Sequence, residues 1–269
     1  MAHLERNAIR DSDKARLNDS FVLTFDIDWA PDWAIDDCLS ICRNHGVSAA
    51  FFATHDTAIL QDIAGSDSFD LGVHPNFLPG SSHGPSVAQV MEYCLTLVPG
   101  ATLMRTHGLY GSYGLFREIK REFPQISADC SIFLPGVANL QPFPLYFHDC
   151  TAPLIRVPLW LSDMAASATP GFSWDMDVTS MPGLKVLNFH PIHVALNSRS
   201  PASYSVMKAR LSTTPLSEVS RRDAAPFVNS EAGVRTFLEG ILRKSPGRFT
   251  ARLPDVLANH FSNVEGVND

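Results

Sequence analysis

The chain has 269 residues, a net charge of −7, and 45% hydrophobic against 18% charged residues, the composition of an ordinary globular protein with room for a large core. Its acidic balance, with no basic run longer than the Arg221-Arg222 pair, argues against nucleic acid or an anionic membrane as the main partner and favours a neutral or cationic small substrate. Apolar stretches such as Val47 to Ala53 fall far short of the roughly 18 residues of a membrane span, and the first twenty residues hold no apolar run of a secretory signal, which points to the cytoplasm.

In chain order, Phe21 to Ile27 (FVLTFDI) is a run of β-branched and aromatic residues that reads as a buried strand. After Pro31, Ala34, Ile35, Cys38, Leu39, Ile41 and Cys42 recur at helical spacing, and Gly46 stands where a C-terminal cap belongs. Strands follow at Ser48 to Ala53 and Phe69 to Val73. Pro85 opens a helix with Val87, Val90, Met91, Cys94, Leu95 and Val98 on one face. Thr102 to Thr106 reads as a fourth strand, with a helix from about Tyr113 to Phe123. Further strands are expected at Ile126 to Ile132, Leu154 to Trp160 and Lys185 to Phe189, and a last helix from about Glu231 to Lys244. The five cysteines are irregularly spaced with no CxxC pair, which reads as reduced, mostly buried thiols.

Alternating strands and helices imply an α/β fold with a parallel sheet of right-handed βαβ units. About seven strands favour a distorted (β/α) barrel, one domain over residues 1–269, with 1–20 as an N-terminal extension. Neither GxGxxG nor GxxxxGK[ST] follows the first strand, which removes the usual support for a dinucleotide or nucleotide site. The segment 197–229, rich in Ser, Pro and Arg with weak periodicity, reads as a lid or mobile loop.

In a parallel barrel the chemistry gathers where the strands end, at one common mouth. The first strand ends in Asp26-Ile27-Asp28, two carboxylates at i and i+2 that share a face of an extended chain. Such a pair repels itself unless a cation or an arginine offsets the charge. The third strand runs into His74-Pro75, the fourth ends at Arg105 with His107 behind it, the strand near Val157 ends with Trp160 and Asp163, and the one near Leu187 ends in His190-Pro191-Ile192-His193. His83 lies nine residues after His74 in a loop. An Asp with two neutral His makes an open site for a divalent cation such as zinc. Such an ion acidifies bound water, a second carboxylate takes the proton, and a facing His protonates the leaving group. That set of parts hydrolyses an amide or an ester.

These residues resemble the polysaccharide deacetylase family, the NodB-homology or chitin-deacetylase-like carbohydrate esterases. Thr24-Phe25-Asp26-Ile27-Asp28 is similar to the family's first motif, TFDDG. His74 with His83 is similar to its second, Arg105-Thr106-His107-Gly108 to its third, Trp160 with Asp163 to its fourth, and Leu187 to Pro191 to its fifth. The resemblance implies Asp26 as general base paired with Arg105, and His190 as general acid oriented by Asp163. It implies Asp28, His74 and His83 as ligands of a divalent metal, Zn first, with Co or Mn as alternatives. Two departures stand out. The second motif of the family spaces its histidines three or four apart, so either His83 reaches the metal from a loop or Asn76 or His107 takes its place. The third motif lacks its Pro-Tyr, which leaves the oxyanion donor unassigned. Trp29, Trp160 and Trp174 are candidates for stacking on sugar, with His107 beside them. The substrate class implied is an N-acetylated sugar of a polysaccharide or O-antigen precursor, as in branches of bacterial surface-polysaccharide assembly.

Three rivals differ from this reading. Gly80-Ser81-Ser82-His83-Gly84 fits GxSxG, but a nucleophile elbow needs a strand directly before it, and here Pro79 precedes it. A catalytically degenerate sugar-binding barrel, or a metal-dependent amidase on a non-sugar amide, would use the same residues differently.

Overall fold

The computed structural model describes residues 20–265, so the N-terminal extension lies, but for Ser20, outside the described residues. The strands are β1 (Phe21–Asp26), β2 (Ala49–Ala53), β3 (Phe69–Val73), β4 (Leu103–Met104), β5 (Ala128–Phe133), β6 (Phe143–Leu145), β7 (Leu154–Leu159), β8 (Leu161–Ser162) and β9 (Lys185–Phe189). They form one mixed α/β domain around a nine-stranded sheet in the order β6-β7-β5-β4-β3-β2-β1-β9-β8. Every pairing is parallel except β6 with β7.

About seven parallel strands are expected from the sequence, and the difference has two local causes. β6 is three residues with Pro144 in the middle, too short and too irregular to stand out as a strand. The expected strand near Val157 is broken at Trp160, whose N–H donates to the carbonyl of Val186 at 2.9 Å. Before that residue the chain pairs with β5, and after it with β9.

The helices are α1 (Asp32–His45), α2 (Ile59–Ala64), α3 (Val87–Leu97), α4 (Tyr113–Glu122), α5 (Asp163–Ala168), α6 (Pro191–Ala195), α7 (Pro201–Arg210), α8 (Arg221–Ala224), α9 (Val234–Lys244) and α10 (Leu253–Glu265). Their boundaries follow local chemistry. Gly46 caps α1 at φ 61°, while Ser86 and Ser112 accept backbone N–H bonds at the starts of α3 and α4. No helix among the described residues is long and apolar enough to cross a membrane.

Alternation along the strands creates two apolar layers. Phe21, Leu23, Phe25, Phe51, Val73, Leu187 and Phe189 pack beneath the helices, whereas Val22, Phe52, Leu103, Cys130, Val157 and Val186 pack on the opposite face, where Leu253 and Val256 of α10 join them. Cys38, Cys42, Cys94 and Cys130 are buried free thiols and Cys150 is half-buried. The second face changes character toward the strand ends. Two residues beyond Val22 is Thr24 and then Asp26, beyond Leu103 is Arg105, and beyond Val186 is Asn188 and then His190, so the parity that fills an apolar interior also delivers polar groups to its rim.

Segment 197–229 contains short helices despite its weak periodicity. It carries α7 and α8, and its ends are clasped by Asn197 Nδ2 donating to the Asn229 carbonyl (3.0 Å) and Asn229 Nδ2 donating to the Asn197 carbonyl (3.1 Å). Trp33 Nε1 donates to the Val219 carbonyl at 2.8 Å, and Arg221 grips both oxygens of Asp37 at 2.8 and 3.0 Å.

Candidate active site

The rim opens with a bend. β1 stops at Asp26, and Asp28 and Trp29 have φ of 45° and 54°, a left-handed backbone that costs non-glycine residues of order 1 kcal/mol each. The turn is held by Ile27 N–H on the Phe52 carbonyl, Trp29 N–H on Thr54 Oγ1 and Ala30 N–H on the Ile27 carbonyl. The two carboxylates therefore do not project from one extended strand as the i, i+2 spacing suggests. The turn swings Asp28 back over the mouth, and His190 Nε2 lies 3.7 Å from Asp26 Oδ2 and 3.6 Å from Asp28 Oδ2.

Beneath Asp26 lies a buried polar clamp. Arg105, fully buried, donates from Nη1 to Asp26 Oδ1 (2.9 Å), Asn188 Oδ1 (2.6 Å) and Thr24 Oγ1 (3.0 Å), and from Nε to the Cys130 carbonyl (3.0 Å). Asn188 Nδ2 donates to Asp26 Oδ2 at 2.7 Å, so each carboxylate oxygen has its own donor. The guanidinium stands over the Phe52 ring at 4.5 Å. Phe52 fits there because residue 72 is glycine: a Cβ at that position would meet the Phe52 ring and the Leu103 carbonyl at 2.9 Å. Thr24 opens the first motif and Asn188 stands inside the fifth, neither with a role implied there, and both bind into the clamp. The signal for Asn188 is its parity, two residues before His190 on an otherwise apolar strand.

Three ligand-type atoms converge above this clamp. Asp28 Oδ1 lies 3.0 Å from His74 Nε2 and 3.0 Å from His107 Nδ1, and Asp28, His74 and His107 each offer one such atom within 4.8 Å of the others. Two donor atoms on one tetrahedral zinc, each about 2.0–2.2 Å from the ion, lie roughly 3.3 Å apart, so this two-nitrogen, one-oxygen set fits a small divalent cation. His83 is outside the cluster. Its Nδ1 accepts the Asn76 N–H at 3.1 Å and lies 3.5 Å from Cys94 Sγ. His107 faces Asp28 instead, because the 107–109 turn, tied by His107 N–H to the Pro75 carbonyl, carries that ring there. Asn76 Oδ1 accepts the Leu78 N–H at 3.0 Å.

On the far side, Asp163 begins α5 and is buried. Its Oδ1 is 2.6 Å from His190 Nδ1 and its Oδ2 accepts the His190 N–H at 2.8 Å. Trp29 stays at the mouth, 5.3 Å from the His107 ring and 5.5 Å from the His83 ring. Trp160 and Trp174 do not reach it. Trp160 is buried in the sheet–helix layer with Lys185 Nζ 5.3 Å from its ring, and Trp174 packs edge-on against Phe172 and Phe237. Ser82 sits in an exposed loop with no strand before it, against a nucleophile elbow.

The electrostatics follow from these contacts. Burial raises the carboxyl pKa of Asp26, but Arg105, His74 and His190 outweigh it and leave the group below its usual value. Asp28 is held well below the carboxylate range because its bonds to His107 and His74 outweigh burial. Burial disfavours a charged His190, yet Asp163, with Asp28 and Asp26 behind it, lifts that imidazole to about 10. His107 is raised by its bond to Asp28, which offsets its burial. His83 is pushed down to about 4, chiefly by burial. The mouth thus pairs ionised carboxylates with a charged imidazole, and it shifts the two loop histidines in opposite directions.

A family model described as WbmS-like polysaccharide deacetylase matches residues 23–208. Among solved structures, a candidate polysaccharide deacetylase involved in O-antigen biosynthesis from Bordetella bronchiseptica is 32% identical, with 89% of this chain aligned to 97% of that one at a TM-score of 0.72. A peptidoglycan N-acetylglucosamine deacetylase is 16% identical over 64% of this chain and 72% of its own, at a TM-score of 0.39. A family 4 acetyl xylan esterase from Clostridium thermocellum, in complex with a cobalt ion, is 14% identical over 71% and 84%, at 0.36. Those two likenesses are too loose to bear on the site. No curated protein sequence matches.

Proposed function

The chain belongs to the WbmS-like polysaccharide deacetylase family, and from that premise we propose that it hydrolyses the acetamide of an N-acetylated sugar, in a polysaccharide or O-antigen precursor, with the help of a divalent metal. The observation that carries the reading is the convergence of Asp28, His74 and His107 beside the clamped Asp26 and the Asp163-bound His190. Asp28 Oδ1, His74 Nε2 and His107 Nδ1 would hold the ion, zinc first and Co or Mn as alternatives. When bound, such an ion acidifies water and polarises a carbonyl.

The protein's own groups do the rest. Asp26, kept ionised by Arg105 and Asn188, accepts the proton of the attacking water as it adds to the acetamide carbon. His190 Nε2 faces the same space as both carboxylates. With Nδ1–H fixed on Asp163 it holds a proton, which it passes to the departing nitrogen as the tetrahedral oxyanion collapses. Acetate and a free amino sugar result. Trp29 supplies the apolar wall against which the sugar rests, and the acidic mouth suits the cationic product.

We also read the sheet as a distorted seven-stranded barrel, with 154–162 as one strand and β6 as an edge. What supports this is that β7 pairs with β5 while β8, one residue on, pairs with β9. Residues 197–229 serve as a cover on the His190 side, where Tyr204 of α7 rests against the His193 ring at 4.9 Å.

The decisive experiment measures acetate release from N-acetylated sugars by protein loaded with Zn, Co or Mn, together with metal content. Release that depends on the metal is expected. Sugar binding with no release under any metal would favour the degenerate sugar-binding barrel, and turnover of non-sugar amides alone would favour the amidase.

A further inference from the structure

A recess of about 500 Å³ opens between α4, β5 and the β6–β7 hairpin. One of its walls is Leu109, the last residue of the turn that begins with His107. It therefore adjoins the metal-type cluster without being part of it. Arg156 lies in the recess with only 13% of its side chain exposed, its Nε 2.7 Å from the fully buried Asp129 and its guanidinium 4.3 Å over the Phe116 ring. Asp129 is fixed in turn by the Ser131 hydroxyl, which donates to it at 2.5 Å and accepts the Thr106 N–H at 2.8 Å. The arginine is thus charge-balanced by Asp129 and lines the recess. Across from it Tyr113 is 53% exposed, braced 5.1 Å from the buried Phe147 ring. Gly111 lets the chain pass close over the floor, since a Cβ there would meet the Phe116 ring at 2.5 Å.

An orienting arginine neutralised by a carboxylate does not call for an anion. Together with a free aromatic face it provides what a hydroxylated ring needs: an apolar surface for one face and donors for the hydroxyls at its edge. We propose that this recess is a second carbohydrate subsite, in which Tyr113 stacks on a pyranose ring and Arg156 donates to its hydroxyls while a neighbouring unit of the same chain presents its acetamide at the His107 side. Resting on the deacetylase reading, this makes the preferred substrate an oligosaccharide and not a single sugar. β5 and β7 lie one and two strand spacings from β4, so Arg156 on β7 stands roughly 10 Å from the strand that leads into the His107 turn, the scale of a neighbouring sugar unit.

The test is calorimetric titration of the metal-loaded protein with N-acetylglucosamine and with chitotetraose. Wild type is expected to bind the tetramer at least about tenfold more tightly than the monomer, a difference of one factor of ten in affinity. Tyr113→Ala and, separately, Arg156→Lys, which keeps the charge beside Asp129, are expected to abolish most of that preference and leave monomer binding unchanged. Equal affinity for the two sugars in wild type, or an unchanged ratio in both variants, overturns the proposal. Acetate release is measured in parallel. A tetramer preference lost in the variants, with no release by any metal form, would sink the deacetylase reading while leaving the subsite standing.

Discussion

Two loops flank Trp29, each bringing one histidine to nearly the same distance from its ring, His83 at 5.5 Å and His107 at 5.3 Å. They end in opposite states. The His83 Nδ1 takes the Asn76 N–H and lies beside Cys94, and burial pushes the ring's pKa down to about 4. The His107 loop is anchored through its backbone instead, by His107 N–H on Pro75 and Leu109 N–H on Thr106, which leaves the imidazole free to face Asp28. What turns a histidine toward Asp28 is thus where its loop backbone is anchored, and nearness in sequence to another ligand-type residue does not decide it.

The comparison breaks most directly at the metal. Asp28→Ala and His107→Ala are expected to weaken zinc binding by more than about 100-fold, beyond the 10- to 100-fold typical of supporting residues, whereas His83→Gln changes it only a few-fold. Equilibrium dialysis with atomic emission would read this. Loss of zinc in His83→Gln with retention in His107→Ala would invert the assignment.

A smaller effect separates the cluster from the clamp below it. Asn188→Leu removes the donor to Asp26 Oδ2 and the acceptor for Arg105 without touching the three ligand-type groups. Steady-state kinetics on an N-acetylated sugar should show kcat reduced about 100-fold, the lower range of general-base contributions, with KM and metal content near wild type. Loss of metal in that variant would mean that the two layers are one unit.

The smallest expected effect is on stability. His83 titrates near 4 in the folded protein and about 6.5 when unfolded. Below about 6.5 the unfolded chain takes up a proton that the native one refuses. The stabilisation is therefore complete above that pH and is lost as the pH falls toward 4, by about 1–3 kcal/mol. Urea denaturation of metal-free protein at pH 7.5 and 4.5 should give a smaller pH difference for His83→Gln than for wild type. In the same metal-free protein, imidazole NMR should place His107 above 6.5 and His83 well below it. Matching midpoints would erase the contrast between the loops.

Much of the fold was legible because it depends on local pattern. The helix from Asp32 to His45 has its Cys38, Leu39, Ile41 and Cys42 face and its Gly46 cap written in the chain, and β3 and β9 fall at the expected residues. β6, the short helix α2 and the final helix α10 were not, since a three-residue strand and a six-residue helix carry too few periods to register. α10 earns its place through Leu253 and Val256 meeting an apolar face built by distant strands. In the site, Asp26, Asp28, His74, Arg105, Asp163 and His190 stood out because each is a polar residue at the end of an apolar strand. Asn188 did not, although it has the same parity.

By itself, then, the sequence determined the alternation of strands and helices and the set of polar groups at the strand ends, because hydrophobic period and strand parity are properties of neighbouring residues. Only the tertiary structure decided that His107 and not His83 faces Asp28, that Trp160 is wall and not mouth, and that Arg156 opens onto a recess. Each of these depends on which groups, far apart along the chain, compete for the same face or the same space. That competition is settled only when the sheet brings them together.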